Sequence, residues 1–225
     1  MSTEWPGVLD VDALKPNHVA QVDRLADAAR AGDWASVFTL LDAAHGLTAN
    51  HSRITGRSWF SPLHQAAWLG APEQVAEQLL RRGAWRSLRT ADGELPSDIA
   101  RSRGHDHLQR ILALPETGEP EHRRFAAWDH HLAALIAERT ERLGPVQIRP
   151  VQTEVIVRDR LETLWFGYPG MYGGFSLSTH QGRLFVESWS RVAGGSGQAH
   201  VITESGCVLV EEGSSKPPAP PRCAG

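Results

Sequence analysis

The sequence predicts an α+β protein of more than one domain, with a helical first half, a bridging helix and a small antiparallel β-meander. Two patterns lead to this prediction. Apolar residues recur at helical spacing, in segments that repeat, over residues 20–114, whereas from Pro145 onward they alternate with a period of two. Residues 115–120 (PETGEP) have the composition of a linker. The predicted division is an N-terminal segment 1–19, a repeat region 20–114, a linker and helix 115–144, a β-domain 145–212 and a disordered tail 213–225.

Composition narrows the class of protein. The 225 residues include 23 basic and 26 acidic side chains, and the resulting net charge of −3 argues against nucleic-acid binding, which needs a basic excess. No apolar run reaches the ~20 residues of a membrane helix, and the first residues lack the pattern of a secretory signal. We therefore expect a cytoplasmic protein without a membrane or nucleic-acid partner. Two cysteines, Cys207 and Cys223, predict neither a disulfide framework nor a cysteine metal site.

The most informative motif is Ser61–Gly70 (SPLHQAAWLG). A second copy starts 34 residues later at Leu95 (LPSDIARSRGH), and a weaker copy lies upstream, over residues 23–41. Serine before proline favours a helix start, because the hydroxyl can cap free N–H groups and proline is tolerated in the first turn. A glycine after the helix suits a left-handed end. Because one helix pair cannot bury its apolar stripe alone, the copies are expected to pack together.

This pattern resembles the ankyrin repeat, in which TPLHxAAxxG is followed by a second helix ending in LLxxGA and by a turn often written DG. The middle copy matches nearly all of it, with Ser61 in the Thr position, and Asp92-Gly93 supplies the turn. The resemblance covers about half of the chain, residues 20–114, and implies a stack of about three repeats that binds another protein. Residues 46–60 are longer than the usual finger and carry Trp59 where the family has Gly, which predicts a long finger or an irregular loop.

The resemblance also implies which positions would recognise a partner. They are the finger residues and the two residues before the first-helix glycine: Arg57, Ser58, Trp59, Phe60, Trp68, Leu69, Asp92, Glu94 and Arg103. Trp and Arg are favoured at the energetic centres of interfaces. An alternative interpretation is that the aromatic residues only cover a stack too short to bury its own faces. The resemblance makes Ser61 and His64 structural hydrogen-bonding residues and not a nucleophile and its base.

The second half predicts one helix and then a sheet. Residues 121–143 carry an apolar helical stripe, and the predicted role of this helix is to cap the repeats or to bridge to the next domain. Five or six antiparallel strands follow, the first over 151–157, with two-residue turns at Gln181-Gly182 and Ser205-Gly206. The first of these turns sets a register in which His180 faces Arg183 and Ser176 faces Glu187.

Residues 167–174 (GYPGMYGG) hold both tyrosines, Tyr168 and Tyr172. They predict either a loop that a ligand can approach closely or a tight connection with packed aromatic rings. Glu187, with His180 on the same face, is a candidate acid–base group, and the competing interpretation is a solvated face with charged pairs. A small enzyme or small-molecule-binding domain would need a closed pocket that unites Tyr168, Tyr172, Glu187 and Trp189.

The sequence thus favours a non-catalytic protein–protein interaction protein, an adaptor or an inhibitor-type or immunity-type partner. The alternative is a small enzyme or small-molecule-binding β-domain that the repeats dock, with Glu187, His180, Tyr168 and Tyr172 as its site. No cofactor is expected. The histidines at 105, 107, 130 and 131 do not form a converging set of three or four ligands, so no metal is expected either.

Overall fold

The structure is a computed structural model, and it describes residues 2–43, 46–192 and 196–213. Over these residues it contains eight α-helices and one mixed six-stranded sheet, so the predicted α+β class is confirmed. The chain divides into two compact units. A helical unit is formed by Leu9–Pro115, and a sheet unit by the residues up to Val8 together with those from Glu116 onward. The tail predicted to be disordered lies, from residue 214, outside the described residues.

The helical unit consists of successive helix pairs. The described helices are α1 (Pro16–Ala31), α2 (Trp34–Ala43), α3 (Pro62–Leu69), α4 (Glu73–Arg81), α5 (Pro96–Ser102) and α6 (Gln109–Leu112), with 3-10 turns at Val11–Ala13 and Asp106–Leu108. Helix α3 packs against α4, its partner in the pair, and also contacts α1 and α5. Neighbouring pairs therefore contact each other through the first helix of each pair.

The ends of α3 follow from its sequence. Ser61 is extended (φ −80°, ψ 168°) and precedes Pro62 at the first helical position. The Ser61 N–H donates to His64 Nδ1 (3.2 Å), so the ring nitrogen satisfies a free donor at the helix start. Gly70 ends the helix with a left-handed backbone (φ 63°), and a Cβ there would lie 2.7 Å from the His105 ring. Both the conformation and the close contact require glycine.

The interior of the helical unit is apolar and close-packed. Small side chains from α3, Ala66 and Ala67, let its neighbours approach, and they share one core with Val22, Leu79 and Ile99. His64 is also buried there, and its Nε2 donates to the carbonyl oxygen of Leu88 (2.9 Å).

Residues 46–60 form irregular structure, which Asn50 ties to the neighbouring helix pair. Its side-chain nitrogen donates to the Gly83 carbonyl oxygen (2.8 Å), and its side-chain oxygen accepts from the Trp85 N–H (2.8 Å). Asn50 is 2% exposed, so both bonds are shielded from water.

The sheet unit carries one long helix against a six-stranded sheet. Its elements are β1 (Ser2–Glu4), α7 (Glu119–Thr140), α8 (Glu154–Arg158), β2 (Thr163–Tyr168), β3 (Gly173–His180), β4 (Arg183–Ser190), β5 (Ser196–Thr203) and β6 (Gly206–Gly213). Helix α7 packs on β5 and β6, and α8 contacts β3. Strand β1 is parallel to β2, whereas β2 to β6 form an antiparallel meander, as predicted.

The predicted register of the β3–β4 hairpin is confirmed. His180 faces Arg183 and Ser176 faces Glu187, and both turn residues have positive φ (Gln181 49°, Gly182 72°), as a two-residue hairpin turn requires. The second predicted turn, at Ser205-Gly206, is wrong by one residue. Thr203 pairs with Gly206, so the two connecting residues are 204 and 205.

The prediction of a strand over 151–157 is also wrong, because Glu154–Arg158 form helix α8. The β-branched residues there suggested alternation, yet burial does not alternate: Thr153, Glu154, Val155 and Ile156 are all buried. Residues four apart lie on the same side of a helix, and Arg158 Nη1 accordingly lies 2.5 Å from Glu154 Oε1.

The first residues complete the sheet, and the sequence analysis did not predict this. The Trp5 N–H donates to the Trp165 carbonyl oxygen (2.7 Å), and the Trp5 side chain is 2% exposed. The Trp5 indole N–H donates to the Arg149 carbonyl oxygen (3.2 Å), and the Arg149 guanidinium lies 5.3 Å from the Trp5 ring. Burial lowers the pKa of Arg149 to about 9. Residues 2–8 are thus an integral part of the sheet unit.

Among the helices of the described ranges, none combines the length and the apolar composition that a bilayer crossing requires.

Candidate functional site

Three of the predicted recognition residues meet on the surface of the helical unit. The Trp68 ring, 41% exposed, lies 4.0 Å from the Arg103 guanidinium carbon. The Phe60 ring centroid lies 6.0 Å from that of Trp68, at an interplanar angle of 68°. We call Phe60, Trp68 and Arg103 the aromatic cluster. Edge-to-face rings and a guanidinium over an indole are both attractive arrangements, so the cluster is held together by its own contacts.

Helical geometry explains why this surface is exposed. Leu63, Ala66 and Ala67 point from α3 into the core, and a helix advances by 100° per residue. Trp68 and Leu69 therefore fall on the opposite side, where Leu69 is 45% exposed. An exposed apolar pair of this kind is available to a partner.

The finger residues are brought side by side by the backbone. The Ala91 N–H donates to the Ser58 carbonyl oxygen (3.0 Å), which places Ser58 beside the turn that carries Asp92. The Glu94 N–H donates to Thr90 Oγ1 (3.1 Å) and closes that turn. Trp59 is half-buried with a left-handed backbone (φ 58°), which is unusual for a bulky residue and places local strain in this segment.

The charges around this surface are mixed. Arg57 and Arg103 are exposed, and neither forms an ion pair with a carboxylate among the described residues. Asp92 is exposed and Glu94 is half-buried on the neighbouring finger. A guanidinium can bind a carboxylate through two parallel hydrogen bonds, so the surface can take an apolar group together with an acidic one.

The pair Ser61 and His64 is structural, in keeping with what the resemblance implies. Ser61 Oγ lies 2.8 Å from His64 Nδ1, but the two residues are at most 1% exposed. His64 Nε2 is already bonded to the Leu88 carbonyl oxygen. A substrate therefore has no access to this hydroxyl.

The candidate residues of the alternative site do not come together. Tyr168 is buried on the face of the sheet that carries Leu164 and Phe166, whereas Glu187 is exposed on the opposite face. Tyr172 lies in a turn with its side chain 76% exposed. The enzyme hypothesis in its specific form, a pocket that unites these residues, does not agree with the structure.

His180 and Glu187 are also too far apart to exchange a proton. Glu187 faces Ser176, and His180 lies four residues further along β3, at about 13 Å for an extended strand. A general acid and base must be within hydrogen-bond reach of the same group. The solvated-face interpretation fits this arrangement better.

The glycines of residues 167–174 serve close packing. A Cβ at Gly173 would lie 1.9 Å from the Trp189 carbonyl oxygen, and one at Gly174 would lie 2.2 Å from the Phe166 carbonyl oxygen. This agrees with the interpretation as a tight connection.

The structure also shows a cavity that the sequence analysis missed. It has a volume of about 470 Å³ and lies in the sheet unit, between the second half of α7, the segment 143–151 and Tyr168. The only sequence signal was the apolar residues that continue past the end of α7 without helical spacing, namely Leu143, Val146 and Ile148.

The histidines do not converge on a metal centre. His107 Nε2 is hydrogen-bonded to the Ala71 carbonyl oxygen (3.0 Å), and the adjacent His130 and His131 rings are 5.4 Å apart. Within the described part of the chain, no three His, Cys, Asp or Glu side chains are grouped so that they could hold a metal ion.

Comparisons with known proteins give partial similarities. No protein-family model matches the sequence. The E3 ubiquitin-protein ligase Ufd4 of Drosophila melanogaster is 37% identical over 94 residues, which is 40% of this chain and 3% of that protein. The E3 ubiquitin-protein ligase hecd-1 of Caenorhabditis elegans is 34% identical over 85 residues, 38% of this chain and 3% of that protein. Over about two-fifths of its length, the chain is therefore similar to a short stretch of two E3 ubiquitin-protein ligases.

Proposed function

We propose that the chain is a non-catalytic interaction protein, that its helical unit is a stack of ankyrin repeats, and that this unit binds another protein through the aromatic cluster. The observation that carries the proposal is Trp68, which is exposed and yet held by Phe60 and Arg103. A rigid aromatic residue beside arginine is typical of an interface hot spot, because little entropy is lost when a partner covers it.

The spacing of helix ends supports the ankyrin assignment. Gly32, Gly70 and Gly104 all have left-handed backbones, with φ of 73°, 63° and 73°. Pro62 and Pro96 each open a helix and are 34 residues apart, the same offset as the second and third of these glycines. The His64 hydrogen bonds fit the structural role that the resemblance implies. The bridging role of α7 stays a prediction, because its contacts with β5 and β6 lie within the sheet unit.

The ligase similarity supports a shared module more than a shared activity. Each match spans only 3% of the ligase concerned. We propose that the common stretch is a binding module, and that recognition by this chain depends on its own exposed side chains.

The test is affinity purification with the full chain from cells of its source, comparing the wild type with Trp68→Ala and Arg103→Ala. The co-purifying partner is expected to fall about tenfold or more for each variant, as for a hot-spot residue. Tyr172→Ala, which removes an exposed aromatic ring from the sheet unit, is the matched control and should retain the partner. Equal recovery with Trp68→Ala would refute the proposed surface.

A further inference from the structure

Another cleft of the sheet unit has a thiol and an imidazole in its lining. It has a volume of about 250 Å³ and lies where α7 packs on β5 and β6. His200 of β5 and Cys207 of β6 both line it. Thiolate and imidazole are donors that bind soft metal ions, so the two side chains are candidate ligands.

The strand register places His200 and Cys207 next to each other on one face of the sheet. His200 pairs with Leu209 and Ile202 pairs with Cys207, so His200 and Cys207 are diagonal neighbours across β5 and β6. The Cα atoms of diagonal neighbours are about 7–8 Å apart. A metal ion bound to one sulfur and one nitrogen separates those two atoms by at most about 4.3 Å. Since both side chains extend from the same face, they can span this distance.

His200 is buried and lacks a hydrogen-bond partner. It is 6% exposed, its Nδ1 is shielded from water, and its ring forms no hydrogen bond with any residue that the structure describes. Burial lowers the pKa of His200, with a further contribution from Arg139, so the ring is neutral near pH 7. A neutral imidazole whose tautomer no hydrogen bond fixes can offer a lone pair to a metal ion.

Cys207 is exposed, so an ion can reach its sulfur from solvent. Partial burial and the nearby Glu138 carboxylate raise the pKa of this thiol. The thiol therefore keeps its proton near pH 7, which argues against a nucleophilic cysteine. A soft metal ion displaces that proton when it binds, and Glu138, which also lines the cleft, favours a positive charge there.

The number of donors selects the ion. Structural and catalytic zinc sites use three or four protein ligands, and no three His, Cys, Asp or Glu side chains within the described ranges are grouped to supply them. Cu⁺ is a soft ion that accepts two donors in a linear arrangement, and one thiolate with one imidazole suits it.

We propose that Cys207 and His200 together bind one Cu⁺ ion. Binding forms one S–Cu and one N–Cu bond and releases the thiol proton to solvent, and neither copper nor sulfur changes its oxidation state. The sequence alone predicted no metal site, because only the pairing of β5 with β6 brings the two donors together. The proposal is independent of the protein-binding function, because it concerns only residues of the sheet unit.

The first experiment measures the affinity of the full chain for Cu⁺. The ion is kept reduced by ascorbate without oxygen and is titrated in competition with the chromogenic chelator bicinchoninate. The wild type should take up one Cu⁺ per chain, and Cys207→Ser should bind it about tenfold more weakly or worse, because a hydroxyl is a hard donor. The matched control is Cys223→Ser, which removes the other cysteine and should bind like the wild type. Absence of saturable uptake by the wild type overturns the proposal, and so does equal uptake by Cys207→Ser.

The second experiment tests the nitrogen donor. His200→Gln should weaken Cu⁺ binding by about tenfold or more, because the amide replaces the imidazole. The matched control is His131→Gln, since His131 lines the same cleft from α7 and should not be needed. A loss with His131→Gln and none with His200→Gln would assign the ion to a different pair and overturn the proposal.

A measurement on the wild type keeps the test decisive if His200→Gln fails to fold. Cu⁺ is diamagnetic, so the ring nitrogens of the histidines can be followed by NMR during the titration. The His200 ring nitrogens should shift in proportion to the bound Cu⁺, and those of the exposed His180 on β3 should not. Unshifted His200 nitrogens at saturation would refute its role as a ligand.

Discussion

At the scale of single residues, Trp68 shows how exposure and order can coexist. Its indole is 41% exposed, yet Phe60 and the Arg103 guanidinium contact it, and Phe60 in turn lies 5.6 Å from the buried His64 ring. His64 is fixed by bonds to Ser61 and Leu88. The chain of contacts therefore runs from the buried interior to the proposed binding surface, and it lowers the entropy lost on binding.

His51 is the residue for which pH dependence is expected. Its Nδ1 accepts from the Thr48 N–H (3.0 Å), and burial lowers the pKa of His51 to about 4, with a further contribution from the nearby His18. Between pH 6.5 and 4 the unfolded chain binds a proton that the folded chain does not. Stability is therefore full above pH 6.5 and falls as the pH drops towards 4.

The expected loss in the free energy of unfolding of the helical unit is about 3 kcal/mol between pH 7 and 4. This free energy is measured by urea unfolding at pH 7 and at pH 4, with hydrogen exchange of α1 and α3 as the readout. His51→Gln should remove most of the difference, and His180→Gln, an exposed substitution in the sheet unit, should not. The same pH dependence in wild type and His51→Gln would contradict this account.

At the scale of elements, two glycines with positive φ allow a matched comparison of helix ends. Gly70 ends α3, where a Cβ would lie 2.7 Å from the His105 ring, whereas Gly83 follows α4 with open space around it. Gly83→Ala should cost about 1 kcal/mol for the left-handed backbone alone. Gly70→Ala should lower the free energy of unfolding by about 1 kcal/mol more than Gly83→Ala does, because the His105 ring must move. Urea unfolding measures both, and equal costs would mean that the ring turns away freely.

Local signals decided which elements could be predicted from the sequence. Helix α3 and the β3–β4 hairpin were predictable, because Ser61, Pro62 and Gly70, and then Gln181-Gly182, specify their own backbone. Helix α8 was not predictable. Its β-branched residues are typical of a strand, and because consecutive residues are buried, its apolar residues do not recur at helical spacing.

The exposure of Trp68 could be predicted from the sequence, whereas the cavity could not. The apolar residues of the motif at 61–70 mark the buried face of α3, and Trp68 falls outside that face. The cavity is formed where α7, the segment after it and Tyr168 pack together. This packing joins parts of the chain that are distant in sequence, so no local sequence pattern predicts it. Strand β1 was missed for a similar reason, because three residues have no measurable period and their partner strand lies far along the chain.

At the scale of the whole molecule, the sheet unit is discontinuous in sequence. Its first part, ending at Val8, is separated from the rest by the entire helical unit. Trp5 joins the two parts, through the Trp165 carbonyl oxygen and the Arg149 backbone and side chain. The helical unit, in contrast, has a core of its own.

Trp5→Ala should therefore destabilise the sheet unit by about 3–5 kcal/mol, since a buried tryptophan is lost and Arg149 loses its ring contact. Hydrogen exchange measured under mild denaturant should show faster opening of β2 and unchanged protection of α1 and α3. Val208→Ala, at an exposed position of β6 in the same unit, is the control and should change stability by less than about 0.5 kcal/mol. An effect of Trp5→Ala below that of the control would contradict the role assigned to residues 2–8.

The parallel pairing of β1 with β2 has a consequence for biosynthesis. Ser2 pairs with Thr163, so the ribosome must add about 160 residues before the partner strand exists, which takes about 8–30 s at typical translation rates. The helical unit is complete in sequence well before then and can fold while β1 and Trp5 are still unpaired.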